Sequence, residues 1–403
     1  MIIGYLIDDT DSLVTCSLTS RSWYIAAVPH LHRTLFTRMN PFYSSKKTRW
    51  PAPLRTASKF GSLPFITRLF IEGDNSYRSA FSSKRFHYWT RREFSALTNV
   101  RDLSIGGLDI PSFIPRIRQF FGQFSPTVRC LSLREPKGSD RDIVFFIGLF
   151  QHLEDLKLHG RCIFDWDTSK GYPTLTPFVV PPFGGQLTLS RGGYNLARTM
   201  VNLFGGVRFR RMDLLGMGSG TQLLVYACAD SLETLKLNAT DICGEKTCSE
   251  DMRIPYNDFT GSYRDLDLSQ NKYLRKLEIT AKSLISELED CAPGTVPSIF
   301  RAIISTVDQP ALFDLVVVYR EGDFYNVTYS NGGAGWVANE HTWYNEQFGV
   351  FREMYKAREF RLVLRAFCIS NRSARELERA VATEKANWGI PPKLSMTYTL
   401  AAR

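Results

Sequence analysis

The residues that could carry chemistry are few and scattered. Gly216-Met217-Gly218-Ser219-Gly220-Thr221 stands between a segment patterned like a strand and one patterned like a helix. Dinucleotide-binding loops occupy that place, because glycines let backbone N–H groups close on a pyrophosphate. Here Thr221 replaces the third glycine of the fingerprint, so the run reads as a glycine-rich turn. His30 and His32 are two residues apart and do not share a helical face. His152 and His159 have no nucleophile near them in sequence. No GxSxG, HExxH or P-loop phrase occurs. Cys16, Cys130, Cys162, Cys228 and Cys368 each sit singly among apolar residues, where a free thiol packs as a small hydrophobe, and Cys291 stands alone. Cys243 and Cys248 lie close together, but no second pair stands at zinc-ligand spacing. The expectation is a binding protein with no catalytic residue, no metal and no cofactor, not an enzyme.

Charge is the next chemical signal. The chain of 403 residues carries a net charge of +10. Residues 33–92 hold thirteen Lys/Arg against Glu72 and Asp74, and the rest of the chain is balanced. Phe42, Tyr43, Trp50, Phe81, Phe86, Tyr88 and Trp89 are interleaved with those cations. Such a mixture can pair phosphates and stack bases, so nucleic-acid association through 33–92 is one reading. A solvated connector with anchoring aromatics is the preferred one, since no further nucleic-acid motif supports the first.

The element that must position any partner-binding residue is a recurring six-residue phrase: apolar, polar, polar, apolar, polar, apolar. It reads Val100-Arg-Asp-Leu103-Ser-Ile105, Leu153-Glu-Asp-Leu156-Lys-Leu158, Phe209-Arg-Arg-Met212-Asp-Leu214, Leu232-Glu-Thr-Leu235-Lys-Leu237 and Leu274-Arg-Lys-Leu277-Glu-Ile279. Val128-Arg-Cys-Leu131-Ser-Leu133 is a looser copy, and weaker ones lie at Ile66–Ile71 and Leu312–Val317. On a strand the last two apolar residues face one way and the polar residue between them faces the other. One such strand cannot bury its apolar face, but a stack can. Leu103, Leu131, Leu156, Leu187, Met212 and Leu235 follow one another by 28, 25, 31, 25 and 23 residues. Leucine-rich repeats recur with about this period, a strand and a helix in each. Helices are expected over 195–204 and 221–229, and a strand–helix–strand ending over 360–369, 374–387 and 393–400. Tyr263-Arg-Asp-Leu266-Asp-Leu268 repeats the phrase only eleven residues before Leu277, so one of the two must lie outside the stack.

Ahead of the repeats, Asp9-Thr-Asp-Ser12-Leu13-Val-Thr-Cys16-Ser-Leu18-Thr-Ser20-Arg21-Ser-Trp23 suggests two short helices, with Ser12 as the cap of the first. The succession Leu13, Cys16, Leu18, Ser20, Arg21, Trp23, followed by Pro29-His30-Leu31, resembles the latter part of an F-box, in particular that of fungal F-box proteins. Members of that family open on a leucine-proline pair and a full first helix; here Met1 falls inside that helix, leaving Ile2, Ile3 and Leu6 of its apolar face. A leucine-rich repeat domain commonly follows an F-box.

The expected organisation is a partial F-box-like helical segment (1–36), a basic connector (37–92) and a degenerate repeat domain with a C-terminal cap (93–403). The fold class is α/β, a leucine-rich-repeat solenoid of parallel strands with helices on the outer side. The resemblance implies a substrate-recognition subunit of an SCF-type ubiquitin ligase. Its Skp-type adaptor, joined to a cullin-based ligase, would be met by Leu6, Leu13, Cys16, Leu18 and Trp23. An unidentified protein substrate would meet the outward polar residues Ser104, Ser132, Lys157, Asp213, Lys236 and Glu278, together with Trp336 and Trp343 in an aromatic loop. A repeat scaffold without a ligase partner is the alternative. No apolar run reaches the length of a membrane span, and a cytoplasmic or nuclear protein is expected.

Overall fold

The computed structural model describes residues 6, 9–38, 52–59, 61–72, 92–107, 120–136, 138–159, 184–189, 194–203, 207–214, 219–238, 266–281, 314–320, 361–368 and 395–400, with a few isolated positions between 375 and 386. Two compact units are present: Met1–Gly185 with Asn202–Gly205, and Gln186–Val201 with Gly206–Arg403.

The first unit opens with a helical hairpin, α1 (Thr10–Thr19) and α2 (Arg21–Leu31). Asp9, not Ser12, caps α1: its carboxylate accepts from the Ser12 N–H at 3.0 Å and from the Ser12 hydroxyl at 2.6 Å. An aspartate one residue before the helix satisfies the free N–H groups of the first turn, and Ser12 becomes the donor. Ser20 then caps α2 through the Trp23 N–H at 3.3 Å. Leu13 and Ala27 close the seam between the helices, flanked by Leu6 and Leu31.

Five parallel strands follow: β1 (Thr34–Arg38), β2 (Arg68–Glu72), β3 (Asp102–Gly106), β4 (Cys130–Arg134) and β5 (Asp155–His159). Each pairs with the next in sequence. Between them run α3 (Ala52–Lys59) and α4 (Asp140–Ile147). In the second unit β6 (Gln186–Leu189), β7 (Arg211–Leu214), β8 (Thr234–Asn238), β9 (Lys276–Ala281), β10 (Asp314–Arg320), β11 (Arg361–Cys368) and β12 (Ser395–Leu400) pair in the same successive, parallel way. Its helices α5 (Tyr194–Leu203) and α6 (Ser219–Ala227) precede β7 and β8. Each unit is thus a solenoid-like α/β arrangement.

The phrase explains the register. Its fourth residues stand side by side, Leu69 beside Leu103, Leu103 beside Leu131 and Leu131 beside Leu156, and in the second unit Met212 beside Leu235 and Leu235 beside Leu277. All three apolar positions are buried in every described copy from Ile66 to Ile279. The second residue of each phrase ties the repeats together. The carbonyl of Arg101 accepts from the N–H groups of Arg129 and Cys130 at 2.8 and 2.9 Å, and Arg129 does the same for Glu154 and Asp155. Arg210 serves Glu233 and Thr234, and Glu233 serves Arg275 and Lys276. One carbonyl therefore satisfies two donors at each of these turns into the sheet.

The sheet begins earlier than the sequence suggested. β1 starts inside the stretch read as wholly helical, and the span read as a connector contributes α3 and β2. The weaker copy at Ile66–Ile71 runs into β2, and Leu54, Leu63, Ile66, Leu69 and Ile71 are all buried. Of the two close phrases, Lys276–Ala281 forms the strand, while Leu266 and Leu268 are buried in the irregular segment before it. Helix α6 starts at Ser219, ahead of the expected 221, and ends at Ala227, short of 229.

Helix-side phenylalanines fill the core of the first unit. Phe94, Phe121, Phe124, Phe146 and Phe150 are fully buried. Edge-to-face contacts run from Phe94 to Phe120 (5.1 Å), Phe120 to Phe121 (4.9 Å), Phe121 to Phe146 (5.1 Å) and Phe146 to Phe150 (5.5 Å). After β3 and β4 the chain turns through a left-handed residue, Gly107 (φ 64°) and Glu135 (φ 47°). Each donates its N–H to the last residue of the following strand, Arg134 and His159 respectively. Glycine takes this conformation freely, whereas Glu135 does so at a cost of about 1–2 kcal/mol.

Candidate protein-binding surfaces

The hairpin sorts its residues by depth. Leu13 is fully buried in the seam, Leu6 and Cys16 are half-buried, and Leu18 is 81% exposed. Trp23 is 36% exposed. The sequence grouped these five as one docking set, but Leu13 holds the helices together and cannot itself be touched. The side chains that do reach solvent are Val14, Leu18, Trp23, Tyr24 and Ile25, five of the nine large apolar residues exposed among the described residues. Three of them, Val14, Tyr24 and Ile25, lie outside the motif, and only the burial pattern of the folded hairpin reveals them. Near the end of α2, His30 Nδ1 accepts a 2.9 Å hydrogen bond from the Arg33 guanidinium. Partial burial, then the Arg33 charge, lowers the imidazole pKa.

The polar faces of the strands form a grid. Across the first unit, the fifth phrase position runs Phe36, Phe70, Ser104, Ser132, Lys157, side by side by register. The Phe36 and Phe70 rings stack at 6.0 Å with 28° between planes. The row beside it runs Thr34, Arg68, Asp102, Cys130, Asp155. Arg68 pairs with Asp102 at 3.1 Å, and Lys157 with Asp155 at 2.9 Å. Lys157 is thus committed within its own strand, and the hydrogen bond to Asp155 raises its pKa. Cys130 faces the same carboxylate, with Sγ 3.5 Å from Oδ2 of Asp155. Burial first, and then that negative charge, push its thiol up to about 12. A thiol so held is not a nucleophile at neutral pH.

In the second unit the corresponding row is Thr188, Asp213, Lys236, Glu278. Lys236 and Glu278, both singled out from sequence, meet each other at 3.3 Å, and Lys276 approaches the same carboxylate at 3.3 Å. Glu278 is buried, so its charge is spent on the two lysines. Asp213 lies beside Lys236 in the register and is partly exposed. Buried Cys228 has a bridging task that its sequence context did not suggest. Its thiol accepts from the Phe209 N–H at 3.4 Å and donates to the Val207 carbonyl at 3.3 Å. Burial pushes it up to about 11.

Trp336 and Trp343 lie outside the described residues, as do Lys46, Lys47, Arg49, Lys84, Arg85 and Arg91 of the basic segment. Among the described residues no group of three His, Cys, Asp or Glu side chains is placed to hold a metal ion, and no helix is long and apolar enough to cross a membrane. Neither protein-family models nor curated proteins match the chain.

Proposed function

We propose that the chain is a two-ended recognition protein, a degenerate leucine-rich repeat protein that brings a protein substrate to an SCF-type ubiquitin ligase. The observation that carries the reading is the exposed apolar cluster Val14, Leu18, Trp23, Tyr24 and Ile25 on a hairpin of two short helices. Large apolar side chains so concentrated on a small element mark a protein-binding surface. The resemblance of the succession from Leu13 to Trp23 to an F-box supports a Skp-type adaptor as the occupant. The strand faces hold the substrate, and the chain contributes proximity to the ligase's conjugating enzyme. No step of covalent chemistry is assigned to this chain.

The test is titration of the purified chain with a purified fungal Skp-type adaptor by isothermal calorimetry. Saturable binding that Leu18→Ala and Ile25→Ala each weaken, in variants that melt like the parent, supports the reading. No binding at adaptor concentrations up to about 100 μM, weaker than about −5.5 kcal/mol, refutes adaptor docking and leaves a repeat scaffold.

A further inference from the structure

The outer side of β1 is the feature of the first unit that the reading above leaves unused. β1 begins the strand order, and among the described residues no strand pairs with its far side. The phase of the ladder follows from the Arg33 carbonyl, which accepts from the Arg68 N–H at 2.9 Å. In a parallel pair this hands the N–H groups of Leu35 and Thr37 to β2 and turns those of Thr34, Phe36 and Arg38 outward. Unpaired N–H and C=O groups along an edge are a template for another strand. Natural edges are blunted by proline, bulges or several charges, and β1 reads Thr-Leu-Phe-Thr-Arg.

A hollow of about 450 Å³ opens at this edge. Thr34, Leu35 and Phe36 all line it, with Thr56 and Ala57 of α3 and with Ile66. Successive strand residues point to opposite faces, so three in a row share one hollow only if it runs along the strand's flank. Its apolar wall is Leu35, Ala57 and Ile66, each buried. On the opposite face the Phe36 ring is 52% exposed and already stacked on Phe70. The edge therefore offers main-chain partners in the middle, an apolar hollow on one side and an aromatic surface on the other.

We propose that the outer edge of β1 binds an extended segment of a partner protein, which adds to the sheet as a strand and carries bulky apolar side chains at alternate positions. One side chain enters the hollow beside Leu35, Ala57 and Ile66, and a residue of opposite orientation rests against Phe36. Main-chain hydrogen bonds to Thr34 and Phe36 hold the segment, and the hollow selects its sequence. This deepens the partner-binding half of the reading above and is independent of adaptor docking, which is assayed separately.

The test uses the full chain, immobilised and panned against a displayed library of random twelve-residue peptides, with the recovered peptides synthesised and titrated by fluorescence polarisation. Alternating bulky apolar sequences should be recovered. Thr56→Trp fills the hollow from an exposed helical position, and Thr34→Pro removes an outward N–H that β2 does not use. Each should weaken binding at least about tenfold while the variant melts like the parent. Lys272→Ala, at an exposed position in the second unit, should leave binding unchanged. No enrichment, or peptides whose affinity neither Thr56→Trp nor Thr34→Pro alters, overturns the proposal. Self-association of the chain in sedimentation, abolished by Thr34→Pro, also overturns it by giving the edge to a second copy.

Discussion

Glu278 offers the sharpest test of how the polar strand faces are built. Its side chain is 9% exposed, with Lys236 Nζ 3.3 Å from one carboxylate oxygen and Lys276 Nζ 3.3 Å from the other. At that separation and an effective dielectric of about 20, each pair has a gross attraction of about 5 kcal/mol. The lysines are 40% and 31% exposed, so water screens much of it, and one pair is worth about 0.5–1.5 kcal/mol net. Lys236→Met and Lys276→Met should each cost about that much, because the remaining lysine still neutralises the carboxylate. The double variant takes both lysines from a buried carboxylate, and breaking a buried pair outright costs about 3–5 kcal/mol. The double loss should therefore exceed the sum of the single losses by about 1–2 kcal/mol. Adding Glu278→Leu to the double variant removes the buried carboxylate and should recover most of the deficit. The assay is urea denaturation followed by fluorescence and far-ultraviolet dichroism, with coincident transitions required. Losses additive within about 0.5 kcal/mol would show that Glu278 is hydrated rather than neutralised by the lysines, and the reasoning would fail.

Further outcomes follow from burial and charge. Leu13→Ala should destabilise the first unit by about 2–4 kcal/mol, because it opens a cavity in the hairpin seam. Leu18→Ala, at an 81% exposed position, should stay within about 0.5 kcal/mol of the parent in the same denaturation series. Among the described residues the fully buried Thr37 hydroxyl, beside Ile71 in the register, has no hydrogen-bond partner. Thr37→Val should raise stability by about 1–2 kcal/mol in thermal unfolding, and a loss would show that the hydroxyl is satisfied in solution. Cys130, half-buried with its thiol pushed up to about 12, should resist iodoacetamide at pH 8, where only about one thiol in ten thousand is ionised. Asp155→Asn should speed its alkylation, read by mass spectrometry of the Cys130 peptide, and an unchanged rate would assign the protection to burial alone.

The parts of the fold legible in the sequence are those written in a period. The phrase places Leu103, Leu131 and Leu156 in a buried row of the first unit and Met212 and Leu235 in one of the second, because strand alternation and repeat stacking act on residue type alone. β1 was not legible. Its inward positions are Leu35 and Thr37, and a threonine where the other copies carry an aliphatic residue breaks the pattern. Helix packing was half legible. Phe120-Phe121-Gly-Gln-Phe124 and Phe145-Phe146-Ile-Gly-Leu-Phe150 each run up to a phrase, a placement that could have marked them as core. The aromatic contacts between them depend on the distance between neighbouring repeats, which the sequence does not state. The candidate site divides the same way. The motif from Leu13 to Trp23 identified the hairpin, but a motif does not say which of its members faces inward, and Leu13 faces inward.

The distribution of charge pairing bears on where a partner is held. On the second unit's strand face, Lys236, Lys276 and Glu278 neutralise one another. A partner reaching for those groups must first break contacts that already offset their desolvation. The first unit's face carries Arg68 with Asp102 and Lys157 with Asp155, but its fifth-position row begins with two phenylalanines and continues through Ser104 and Ser132. Stacked aromatic surface followed by small hydroxyls offers apolar contact and hydrogen bonds without an ion pair to displace, and Phe36 is half-exposed there. Specific recognition draws most of its energy from aromatic anchors in desolvated settings, with charges setting rate and selectivity. Affinity in this chain should therefore reside on the first unit, beside Phe36, with charge substitutions on the second altering its salt dependence more than its strength.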